Sequence, residues 1–71
     1  MKEHYYFTLL IGHLVANTYA GTRSNARAYF KRWIEKEIPN PEDYSFAISR
    51  YSHLSDMLLD LNPLSCTEFT V

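Results

Sequence analysis

His4, His13, His53 and Cys66 are the side chains of this 71-residue chain best suited to soft metal ligation or nucleophilic chemistry. No two of them stand at the close spacing that lets one turn present paired ligands to zinc. A serine or cysteine nucleophile needs a histidine base and an acid that orients it, and His53 with Asp56 or Asp60 supplies the acid only. Gly12 and Gly21 are the only glycines, and neither stands in a loop that could cradle a phosphate. Catalysis, a metal and a cofactor are therefore not expected.

Two other groups of residues could do chemistry of a different kind. Arg23, Arg27, Lys31, Arg32 and Lys36 form a basic ladder suited to phosphate contact. The competing explanation is a solvated helix face whose long side chains cover apolar neighbours. Six tyrosines form the second group, each joining a large apolar ring to a polar tip, a combination enriched at protein interfaces. Stacking of nucleic-acid bases on such rings normally accompanies a basic surround. No Lys or Arg lies between residues 3 and 22. Protein contact is thus the better use of these rings, with nucleic-acid binding through the ladder as the alternative function.

Charge supports the same ranking. Residues 1 to 36 hold six bases against two acids, a net +4, whereas the remainder holds Arg50 against six acids, a net −5. A dedicated nucleic-acid binder usually carries a positive field overall, but this chain totals −1 and carries a dipolar distribution suited to orienting protein encounters. At 46% hydrophobic and 21% charged residues the chain is too apolar to be disordered, and its apolar runs are too short for a membrane span. Lys2 ahead of an apolar run, with Ala16 and Ala20 beyond it, imitates a secretory leader. Thr8, Gly12 and His13 interrupt that run. With one cysteine and no internal disulfide, a reducing, cytoplasmic setting is expected.

The elements that must position these groups follow from pattern. Residues 5 to 11 and 14 to 20 read as strands joined by a type II′ turn at Gly12-His13. Pairing with a constant sum of 25 sets Tyr5, Phe7, Leu9 and Ile11 opposite Ala20, Thr18, Ala16 and Leu14 on one face. Tyr6, Leu10, Val15 and Tyr19 then share the other face with Thr8 and Asn17. Both faces come out substantially apolar, which a hairpin with one wet side would avoid. Thr22 or Ser24 caps a helix running to about Ile38, where Pro39 stops it. Its stripe of Ala26, Tyr29, Phe30, Trp33 and Ile34 should cover the Phe7 and Leu9 side. A helix-turn-helix over residues 14 to 32 would need Leu14 to Ala20 to be helical, and Asn17, Thr18 and Tyr19 disfavour that.

Residues 44 to 51 read as a third strand, although the spacing of Tyr44, Ala47, Ile48 and Tyr51 also suits a helix. Leu54, Met57, Leu58 and Leu61 mark a short amphipathic helix, capped at Ser52 or Ser55 and stopped by Asn62-Pro63. Residues 62 to 71 read as a tail. The expected architecture is a single α+β domain in the order ββαβα, a small antiparallel sheet with a central amphipathic helix. Its expected function is non-enzymatic protein binding at Tyr6, Leu10, Val15 and Tyr19. The partner would be a second copy, giving a homodimer, or a host protein modulated in the manner of phage and mobile-element accessory proteins.

Overall fold

The computed structural model describes residues 4–70. Lys2 and Glu3 of the N-terminal charge, and Val71 at the end of the expected tail, lie outside the described residues. Strands β1 (Tyr5–Ile11) and β2 (Leu14–Gly21) form the expected hairpin, followed by helix α1 (Arg23–Glu37), a single 3-10 turn (Pro41–Asp43), strand β3 (Phe46–Tyr51), helix α2 (Leu54–Leu59) and strand β4 (Ser65–Phe69). All pairings are antiparallel, and the strands lie in the order β2-β1-β3-β4. The ββαβα order is as expected from the sequence, and the segment expected as strand over 44 to 51 is strand at Phe46–Tyr51, with Tyr44 and Ser45 outside it. The expected tail is corrected: five of its residues become a sheet edge, because β3 offers a free row of backbone donors and acceptors that Ser65–Phe69 fills.

The local reasons are legible in the residues. Gly12 takes φ +63 while His13 does not adopt a positive φ, the sign pattern of a type II′ turn. Thr22 caps α1, its Oγ1 accepting from the Asn25 backbone N–H at 3.3 Å. The helix ends at Ile38, whose N–H still donates to the Ile34 carbonyl, because Pro39 disfavours helical geometry in the residue before it. Ala26, Phe30 and Ile34, at helical spacing, are completely buried against Phe7, Leu9, Phe46, Ile48 and Phe69. That cluster is the core, and it lies on one face of the sheet. Tyr29 and Trp33 flank it half-buried.

The hairpin register departs from expectation at one point. Ile11 pairs with Leu14 and Leu10 with Val15, but Leu9 then pairs with Asn17, leaving Ala16 as an extra residue in β2. Such a bulge moves every later residue of the strand to the opposite face. Tyr19 consequently pairs with Phe7 and joins α1, its ring 4.9 Å from that of Tyr29 and 6.4 Å from that of Phe30. Tyr6 receives Ala20 as its partner instead. Tyr6 and Tyr19, expected as neighbours, therefore occupy opposite faces. Residues 14 to 20 are strand, so no helix-turn-helix forms.

Candidate protein-binding surface

On the second face of the sheet the bulge puts Thr18 and Ala20 where the uninterrupted pairing placed Asn17 and Tyr19. Thr8 pairs with Thr18 on one side and Ser49 on the other, and Tyr6 pairs with Tyr51. Helix α2 lies across this face against β1 and β3. Beneath it Thr8, Ser49 and Tyr51 are buried. The expectation that this face lacks cover within one chain is thus corrected in part. Leu10 is half-buried, whereas Val15 near the hairpin tip remains 57% exposed.

One side-chain hydrogen bond ties the end of α2 to the sheet. The Tyr51 hydroxyl donates to Asp60 Oδ1 at 2.6 Å. Burial, reinforced by the adjacent Asp60 carboxylate as acceptor and negative charge, raises the Tyr51 pKa above the ordinary 10.0. Asp60 terminates α2 in left-handed geometry, φ 55 and ψ 46. The Asp60 N–H donates to the Met57 carbonyl and the Leu61 N–H to the Asp56 carbonyl. This is the paired-bond Schellman ending, with aspartate where glycine is usual. Asn62 repeats the left-handed conformation at φ 51, and the Leu64 N–H then reaches the Arg50 carbonyl at 2.7 Å, opening β4.

That geometry reverses part of the expectation for the short helix. Its N-cap is His53, without a side-chain bond, so neither Ser52 nor Ser55 serves. Of the stripe Leu54, Met57, Leu58 and Leu61, only Met57 is half-buried, together with Asp56. Leu58 is 71% and Leu59 67% exposed, with Leu54, Leu61 and Leu64 also open to solvent. Five leucines within eleven residues thus give the region of α2 an exposed apolar character. Periodicity identifies the helix and its amphipathic stripe, but not which side of the stripe meets the sheet.

The basic ladder divides. At 100° per residue, Arg23, Arg27 and Lys31 follow one side of α1 and Arg32 and Lys36 the other. Arg23 and Arg27 border a cleft with Arg50, while Lys31, Arg32 and Lys36 are exposed. His4, His13 and His53 are exposed, His4 and His53 at one end of the β1–β3 pair and His13 at the hairpin turn at the other, and Cys66 is an exposed free thiol on β4. Among the described residues no three His, Cys, Asp or Glu side chains gather as metal ligands, and no helix is long and apolar enough to cross a membrane. No family model, no curated protein and no solved structure matches this chain.

Proposed function

We propose that this chain is a small protein-binding module that docks its partner on the leucines of α2 and the loop after it. The observation that carries the proposal is the exposure of Leu58 and Leu59, 71% and 67%, on a helix held in place by the Tyr51–Asp60 bond. Exposed apolar clusters of this kind raise the free energy of the isolated chain in water and mark interaction surfaces. Val15 and half-buried Leu10 on the same sheet face extend the apolar area, whereas Tyr19 serves the core rather than the interface.

Charge favours a foreign partner over a homodimer. A two-fold contact centred on α2 would bring Asp56 and Asp60 of one copy toward the same residues of the other, and like charges across an interface oppose association. A partner whose apolar patch is rimmed by Lys or Arg meets no such penalty. A host protein modulated by docking fits this description, and the module itself needs no catalytic group.

Affinity capture from host lysate with wild-type chain, Leu58→Ser/Leu59→Ser and Arg32→Glu/Lys36→Glu tests the proposal. A defined protein should be retained by the wild type and the charge variant after nuclease treatment, and lost by the leucine variant. Equal capture by the leucine variant refutes it. Loss only with the charge variant, accompanied by nuclease-sensitive nucleic acid, would assign the function to the basic ladder instead.

A further inference from the structure

We propose that the cleft between the first half of α1 and strands β3 and β4 binds a phosphate group. This cleft lies on the α1 face, opposite α2, and does not depend on the leucine surface. Three arginines line it, Arg23 and Arg27 from α1 and Arg50 from β3, with the hydroxyl-bearing Ser65 and Thr67 of β4 and the apolar Phe7 and Ile48. Among the described residues no carboxylate lines it. Three like charges around one cleft repel each other, and an oxyanion placed between them replaces that repulsion with attraction.

Two details favour an oxyanion over mere covering of apolar surface. The Arg50 guanidinium lies 4.7 Å from the Tyr5 ring centroid and that of Arg27 lies 5.2 Å from Phe69. Rings that engage the flat side of a guanidinium restrict it while leaving its in-plane N–H donors free for a bidentate acceptor. Arg50 Nε is sealed from solvent, so a bound anion would be met by the outer nitrogens of that guanidinium. Three positive charges with neutral hydroxyl donors favour a phosphate dianion over a singly charged carboxylate. Arg23 also opens α1, whose N-terminal end carries positive partial charge.

The test is an NMR titration of the full 15N-labelled chain, following the Arg50 Nε–H and the Ser65 and Thr67 amides. Inorganic phosphate, O-phosphoserine and acetate are added separately at constant ionic strength set by sodium chloride. Saturable shifts are expected with phosphate, with a Kd on the order of 1 mM, and binding of acetate about tenfold weaker. Arg27→Gln and Arg23→Gln change exposed helix residues, so the spectrum should keep its dispersion while phosphate affinity falls about fivefold or more in each. Tighter binding of O-phosphoserine assigns a phosphorylated side chain as the source, and tighter binding of inorganic phosphate assigns the free ion. Linear shifts that chloride reproduces, acetate binding equal to phosphate, or unchanged affinity in both variants overturns the proposal.

Discussion

Tyr51→Phe removes a single hydroxyl and tests whether the Tyr51–Asp60 bond organises the α2 face. Tyr51 is 2% exposed, and its hydroxyl donates at 2.6 Å to an aspartate carboxylate. Hydrogen bonds to charged partners contribute about 1.5–3 kcal/mol, and because Asp60 itself is exposed to water the lower end, about 1.5 kcal/mol, applies here. For a chain of 71 residues the unfolding entropy is roughly 0.15 kcal/mol/K, so Tm should fall by about 10 °C. Asp60→Asn is the appropriate second arm, since asparagine tolerates left-handed geometry and its amide oxygen remains a weaker acceptor. Thermal melts of the two single variants and the double variant should give a coupling of about 1 kcal/mol. The sign with pH follows from the raised Tyr51 pKa. Folding favours the neutral phenol, so this contribution is complete below 10.0 and is lost as pH rises through the higher folded value. The gap between wild type and Tyr51→Phe should hold constant to about pH 9 and narrow in more alkaline buffer. A Tyr51→Phe chain within about 0.3 kcal/mol of wild type, with the same alkaline slope, would refute the assignment.

Phe30→Ala opens a cavity at the centre of the α1 face and should cost about 3–5 kcal/mol, enough to abolish a cooperative melt followed by far-UV circular dichroism. Thr22→Ala removes the cap on the Asn25 N–H and should lower stability by about 1 kcal/mol in urea titration, with no change in m-value. The two glycines should respond differently to substitution. Gly12 has open space around it and a left-handed φ, so Gly12→Asn should be tolerated, whereas a Cβ at Gly21 would stand 2.9 Å from Tyr19 Cε2 at φ +154, and Gly21→Ala should cost about 1–3 kcal/mol and perturb the Tyr19 and Tyr29 ring resonances.

What could be read from the chain alone was local. Helix α1 carries a cap residue, a stop and an apolar spacing that agree with one another, and its buried set came out as Ala26, Phe30 and Ile34. Agreement between independent local signals is what makes an element legible. The bulge at Ala16 had no such signal, because Leu14-Val15-Ala16-Asn17 has little contrast between neighbours, and a low-contrast strand specifies its register weakly. Strand β4 is invisible for a different reason: Ser65–Phe69 has a single aromatic and becomes a strand by pairing with β3. In the sequence Arg50 is a lone base in the acidic half. Only the antiparallel alignment of β3 with β4, and their approach to α1, sets it beside Arg23 and Arg27.

The two faces of the sheet are completed by different physics, and the difference decides which residues are left for a partner. On one face fifteen helical residues present a continuous stripe and bury it, so the exposed remainder of α1 is mostly charged. On the other face α2 has six residues, too few to form a stable helix on its own. Its position comes from Tyr51 holding Asp60, above a polar layer of Thr8 and Ser49 that offers leucines little to bury against. A rearrangement of α2 that broke that bond would leave the buried Tyr51 hydroxyl without its acceptor, a penalty of about 1–3 kcal/mol that is comparable to the gain from burying one leucine. The outward leucines are consequently a balanced state of the isolated chain. A partner that covers them collects the apolar burial without breaking the Tyr51–Asp60 bond.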